Sequence, residues 1–189
     1  MTLTPIKAAL LGGLLLTGAA LPLQAFAAAP PPPPLAVPSP VYSTIVMETD
    51  VARPAAQVWA RVGKYCDISE WFGLACTISS GKDNDVGTVR VLNGSTIEIL
   101  VAKTEFSYTY AQPVRVGQAY NMYHGTLEAR PVTATTSKLI YTLIFDSSLL
   151  ADDAARAADR QGRTTRFTGA LKNMKTLAEG GTLPPPAPR

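Results

Sequence analysis

The segment Val41 to Val51 reads VYSTIVMETDV, rich in β-branched residues and alternating between apolar and polar, and this predicts a strand. Arg53-Pro54 ends it. Proline is tolerated at a helix start, where its missing N–H costs nothing, so Pro54 to Val62 predicts a short helix with Val58, Trp59 and Val62 as its apolar face. Asp67 to Phe72 predicts a second one, capped by Asp67, with Ile68, Trp71 and Phe72 packing inward. Strand patterns then follow at Cys76 to Ser79, Gly87 to Leu92, Ser95 to Ala102, Phe106 to Tyr110, Ala119 to Ala129 and Ser137 to Asp146. Between the second and third of these stands Asn93-Gly94, the strongest short hairpin signal, because both residues tolerate positive φ. A last helix is expected from Asp152-Asp153, acids suited to a helix N-terminus, to Gly180-Gly181. Phe167, Leu171, Met174 and Ala178 share one face of it at helical spacing. The predicted order is strand, two short helices, six strands, long helix.

Both ends depart from this pattern. Lys7 is followed by an apolar run from Ala8 to Leu23, then Ala25-Phe26-Ala27, which fits a small-x-small cleavage site. Residues 1–27 therefore read as a secretory signal; the run is shorter than a membrane span and holds Gly12, Gly13, Gly18 and Pro22. The expected mature protein is exported, periplasmic or extracellular, with no stable membrane insertion. Residues 28–40 are almost wholly Ala and Pro and read as an extended linker, because proline fixes φ and lacks a donor. Residues 182–189 form a second Pro-rich tail, leaving one domain over 41–181. No internal repeat is visible in it, and monomer is the default.

Composition narrows the chemistry. The net charge is +3 over 189 residues, and removal of Lys7 with the signal lowers it by one, too little to imply a nucleic-acid partner. The mean hydropathy of +0.11 is raised by the signal segment. Past an export signal, Cys66 and Cys76 meet an oxidising compartment. A disulfide between them would close a short loop and stabilise by about 2–3 kcal/mol; two separate buried thiols are the alternative. Two cysteines and one distant histidine supply too few ligands for a metal, and no motif calls for a cofactor.

The element order resembles the helix-grip architecture: an α+β fold in which a seven-stranded curved antiparallel sheet wraps around a long C-terminal helix, with two short helices after strand 1. The residues resemble the SRPBCC (START-like) superfamily, and within it the polyketide cyclase/dehydrase proteins. The likeness is carried by Val58-Trp59, Ile68 to Trp71, Val86-Gly87-Thr88-Val89-Arg90, Asn93-Gly94 with Ile97-Glu98, Tyr108-x-Tyr110, Tyr123-x-Gly125-Thr126-Leu127, Ser137 to Asp146, and Gly169 to Lys175. It spans about Val41 to Gly181, and the order of these weak motifs is what makes it. Cys66 and Cys76 stand where exported members carry a cysteine pair. One departure is Trp71-Phe72-Gly73, where the family pattern often has proline two residues after the tryptophan. The resemblance implies an internal cavity for a small hydrophobic molecule. It does not fix a chemistry, because the fold hosts carriers, receptors and enzymes alike.

Candidate site residues follow. Tyr108 and Tyr110 share a face with Phe106, and their hydroxyls need partners that a ligand or the backbone can supply. Leu139, Tyr141, Leu143 and Phe145 read as an inward stripe, either core or cavity wall. The ligand-binding set expected is Phe106, Tyr108, Tyr110, Tyr123, Tyr141, Phe145, Phe167, Leu171, Met174 and Arg90. Arg90 either anchors an anion or pairs with an acid on the next strand, and the pair is favoured. Glu98 and His124 are weak candidates for acid–base catalysis. Ile97, Ile99 and Val101 favour an outward, solvated Glu98, although the family pattern shows Glu there. Arg156, Arg160 and Arg163 recur at helical spacing; they either face water past a bend near Gly162, the favoured reading, or rim the cavity mouth. The leading expectation is a ligand-binding protein. The runner-up is a cyclase, dehydratase or aromatase in which Tyr108, Tyr110, Glu98 and Arg90 polarise an enol or carbonyl. A third reading is an envelope protein with a vestigial cavity.

Overall fold

The structure, a computed structural model, describes residues 39–114 and 120–184. The signal, nearly all of the linker, Ala119 and the last five residues of the tail lie outside the described residues. The elements are β1 (Tyr42–Val51), α1 (Ala55–Val62), α2 (Ile68–Trp71), β2 (Cys76–Ser80), β3 (Val89–Leu92), β4 (Thr96–Thr104), β5 (Ser107–Ala111), β6 (Tyr123–Pro131), β7 (Ser137–Asp146) and α3 (Asp153–Ala178). The seven strands form one sheet in the order β1-β7-β6-β5-β4-β3-β2. Every pairing is antiparallel. This is the helix-grip arrangement. Among the described residues no helix is long and apolar enough to cross a membrane.

Local chemistry places each element. Pro54 precedes α1, and Val58 and Val62 of that helix are buried. Asp67 precedes α2, but its carboxylate accepts from the Lys64 amide at 2.9 Å rather than capping the helix. Asp152 does cap α3, accepting from the Ala155 amide at 2.7 Å. Between β3 and β4, Asn93 and Gly94 both have positive φ, 48° and 72°, which is the turn their sequence specifies. The strand expected from Phe106 begins one residue later. Thr104 pairs with Ser107, so Glu105 and Phe106 make the hairpin turn.

α3 runs unbroken through Gly162 and packs Phe167, Ala170, Leu171, Met174 and Leu177 into the core. They meet Leu127, Leu139, Tyr141 and Leu143 of the sheet and Trp71 of α2 in one apolar cluster. Each fully buried large side chain of this kind contributes about 1.5–3 kcal/mol. Two polar ties fix the helix. Asn173 Nδ2 donates to the Trp71 carbonyl at 3.0 Å, holding α2, and Glu179 Oε1 accepts from the Ala52 amide at 2.8 Å, holding the end of β1. Cys66 and Cys76 are joined by a disulfide with their Cα atoms 5.6 Å apart, which pins the segment entering α2 to the first residue of β2.

Candidate functional site

A cavity of about 240 Å³ opens between α2, α3 and the concave face of β3 to β7. Its apolar wall is made by Ile68 and Phe72 from α2 and its exit, Leu74 from the following loop, Leu92 at the end of β3, and Phe167 from α3. The sheet supplies Glu98, Tyr110, Gln112, Tyr123 and Tyr141, and α3 supplies Arg163 and Arg166. The wall is thus more polar than an aliphatic carrier needs.

Tyr110 and Tyr141 project from β5 and β7, and the Tyr141 hydroxyl donates to that of Tyr110 at 3.0 Å. Burial pushes both phenols well above their ordinary pKa, so both stay protonated and one hydroxyl hydrogen remains to be placed. Tyr110 owes its position to its cross-strand neighbour. Gly125 faces it on β6, and a Cβ at that glycine would collide with the phenol ring. The tyrosine therefore lies across the bare backbone of β6.

Glu98 is inward and buried, at 3% exposure, contrary to the outward reading. In β4 it is Glu98 and Leu100 that turn in, while Ile97 and Ile99 are only partly buried and Val101 is exposed. The apolar alternation misleads here because β-branched residues are favoured on either face of a strand, and because the inward acid has its own cation. Arg90 faces Glu98 across the β3–β4 ladder. Its Nε and Nη2 donate to Glu98 Oε2 at 2.9 and 2.6 Å, and its Nη1 donates to the Tyr65 carbonyl. Its guanidinium also lies 4.0 Å from the Tyr65 ring centre. Gln112 Nε2 donates to the other Glu98 oxygen at 3.1 Å. Arg90 is wholly buried behind Glu98 and pairs with the acid on the next strand.

Arg163 is turned inward rather than to water. Its Nε donates to Asp159 at 2.8 Å and its Nη1 to the Tyr123 hydroxyl at 3.1 Å. The guanidinium sits 4.5 Å from the Tyr120 ring centre and 4.6 Å from that of Phe145, a cation held among aromatic faces. The Tyr120 hydroxyl donates to the second Asp159 oxygen at 2.7 Å. Partial burial works to raise the Asp159 pKa, but the bonds from Arg163 and Tyr120 prevail and hold it below the ordinary carboxylate value. Burial raises Tyr123 to about 12, against the opposing effect of Arg163. Arg156 instead pairs with Asp153 on the exposed first turn of α3, and Arg160 is exposed.

Of the expected ligand-binding residues, Tyr110, Tyr123, Tyr141 and Phe167 come together on the cavity wall. Phe145 stands behind it, stacked on Tyr123 with ring centres 5.9 Å apart. Leu171 and Met174 are buried in the core and do not line the cavity. Tyr108 packs edge-on to Tyr65 at 5.3 Å and against Trp59 at 5.6 Å, and lines a separate hollow beside Trp59, Leu100 and Lys103. Its buried hydroxyl, like that of Tyr65, has no hydrogen bond of good geometry among the described residues. Phe106 is half-buried against the core from the β4–β5 turn. His124 alternates with the inward Tyr123 and Gly125 and so points from the outer face of β6. Gln112, Tyr120, Arg166 and the apolar wall from α2 are cavity residues that the sequence reading did not select.

The profile of the family described as polyketide cyclase/dehydrase and lipid transport matches residues 43–179. Among solved structures, the chain is similar to a protein from Nitrosospira multiformis, with 23% identity and a TM-score of 0.59 over 71% of this chain and 94% of that one. It is also similar to an aromatase/cyclase from a Streptomyces species, with 17% identity and a TM-score of 0.55 over 75% of this chain and 100% of that one. Truncated norcoclaurine synthase from Thalictrum flavum gives 14% identity and a TM-score of 0.55 over 76% and 98%. At these identities the likeness is one of fold. No curated protein sequence matches the chain.

Proposed function

The chain belongs to the polyketide cyclase/dehydrase and lipid transport family, and from that premise we propose that it is an exported protein that holds a small, largely apolar molecule bearing oxygen in the cavity between α3 and the sheet. The observation that carries this reading is the pairing, in one cavity wall, of Phe72, Leu92 and Phe167 with the Tyr110–Tyr141 hydroxyl pair. Apolar side chains give such a pocket its affinity, and a few fixed polar groups orient what enters. A core of the same size would be closed by side chains rather than lined by hydroxyls and guanidinium groups. The disulfide is compatible with life outside a reducing compartment. The expected mature N-terminus is Ala28.

A cyclase or dehydratase acting in the same cavity is the second reading, and the observation that favours it is Glu98 on the wall near the phenols. Against it, both Glu98 oxygens are already engaged, one by Arg90 and one by Gln112. That arrangement suits holding more than proton transfer. Native mass spectrometry of protein purified from the envelope of its own host tests the proposal: a released small molecule is the expected result. Ligand-free protein that also fails to bind any apolar probe counts against it, and full-length protein confined to the cytoplasm removes the export claim.

A further inference from the structure

Among the described residues, the charges in and directly behind the cavity wall do not balance. Arg90 and Glu98 neutralise one another at 2.6 Å, and Arg163 and Asp159 do so at 2.8 Å. Arg166 lies one turn beyond Arg163 and two beyond Asp159 on the same side of α3, lines the cavity beside Arg163, and has no ion pair among the described residues. Its charge reaches Asp159 only through space, and that carboxylate is already committed to Arg163 and Tyr120. Among the described residues, three cations therefore face two carboxylates. The tyrosines do not supply the missing charge, because burial raises Tyr120 and Tyr123 above the ordinary phenol value.

We infer that the molecule held in this cavity is an apolar monocarboxylate, its carboxylate met by Arg166 beside the fixed guanidinium of Arg163. The inference rests on the cavity being a ligand site, and it names the class of ligand. Arg163 is built for the task before anything binds. Asp159 and Tyr123 take two of its donors and the rings of Tyr120 and Phe145 hold its plane, so a fork of five donors keeps capacity for a ligand and loses little rotamer freedom on binding. Arg166 is exposed, which lets it swing onto an entering acid but leaves that contact open to salt. Phe72, Leu74 and Leu92 face these cations with an apolar wall suited to the body of the molecule. A neutral ketone or phenol would be served by the Tyr110–Tyr141 pair alone and would leave the second arginine without a purpose. A dianion would need a further uncompensated cation, and the cavity wall carries none besides Arg166 among the described residues.

The test is calorimetry on the disulfide-intact chain with a naphthoate and the matching naphthamide, which share a body and differ in charge. The acid is expected to bind about tenfold or more tighter, with a preference that falls as ionic strength rises. In Arg166→Gln, an exposed position where folding can be verified by the thermal midpoint, the acid is expected to drop to the affinity of the amide. Equal binding of acid and amide to the natural chain, or an equal loss of both in Arg166→Gln, overturns the carboxylate inference while leaving a ligand cavity in place. If neither compound binds and no other apolar probe does, the cavity reading and the inference fall together.

Discussion

Arg90 and Glu98 face one another across β3 and β4 with a nitrogen–oxygen distance of 2.6 Å, and neither side chain is reached by more than a trace of water. Such a pair is costly to assemble and more costly to break, because removing one partner strands the other charge in the interior. Glu98→Leu is expected to destabilise the chain by about 3–5 kcal/mol in urea unfolding. Arg90→Met and Glu98→Leu together should cost less than the sum of the two single changes, since no charge is then stranded. A strictly additive cycle would show that the two residues do not act as a pair.

Tyr108 tests the difference between core and cavity. Its hydroxyl is buried without a well-formed bond and lies off the cavity wall. Tyr108→Phe is therefore expected to leave binding of an apolar fluorescent probe unchanged and to change stability by no more than about 1 kcal/mol, because the hydroxyl removed makes no well-formed bond. Tyr141→Phe removes one half of a real hydroxyl pair and should weaken probe binding or stability by about 0.5–1.5 kcal/mol. Reversed outcomes for the two variants would move the ligand to the hollow beside Trp59.

Acid should loosen the α3 side of the cavity. The folded Asp159 carboxyl has a pKa below its ordinary value. A group depressed in this way contributes stability that is fully present above its unfolded pKa and is lost as pH falls through the folded one. The window therefore opens near pH 4, where a free aspartate is about half protonated, and extends to lower pH. Plotted against pH, the stability difference between the natural chain and Asp159→Asn should be constant near neutrality and shrink below that point. A difference that persists unchanged into strong acid would mean that Asp159 does not bond to Arg163 and Tyr120 as an ionised group.

Reducing the Cys66–Cys76 bond should cost about 2–3 kcal/mol, the amount expected for a short closed loop. The loss should be local in character. Hydrogen exchange is expected to rise first in Ile68–Trp71, the helix that the bond and Asn173 hold against α3. Faster exchange spread evenly over the sheet would show that the bond acts on the whole fold instead.

The fold was legible because its signals are local and periodic. Asn93-Gly94 marks a hairpin through the φ values those residues allow, and the alternation of Ser137 to Asp146 returned the bounds of β7. The cavity wall was legible only where alternation and burial coincide, as at Tyr110 and Tyr141. It failed at Glu98, because periodicity counts apolar residues and cannot register a cation waiting on the neighbouring strand. It failed at Leu171 and Met174 for the opposite reason. They are as apolar as Phe167 and share its helical face, and only the path of the sheet decides which part of that face is packed and which part opens. Arg163 was visible as one of three arginines in register, but the aromatic faces that capture it come from β6, β7 and the approach to β6, far away in sequence.

Gly125 sets the shape of the site by what it lacks. The Tyr110 ring occupies the volume where any other residue would carry its first side-chain carbon. The two positions are therefore expected to vary together: a chain of this family with a larger residue at the equivalent of 125 should carry something smaller, or something turned aside, at the equivalent of 110. Sorted by that pair alone, a set of homologous sequences should divide into those that keep a phenol over β6 and those that have surrendered it.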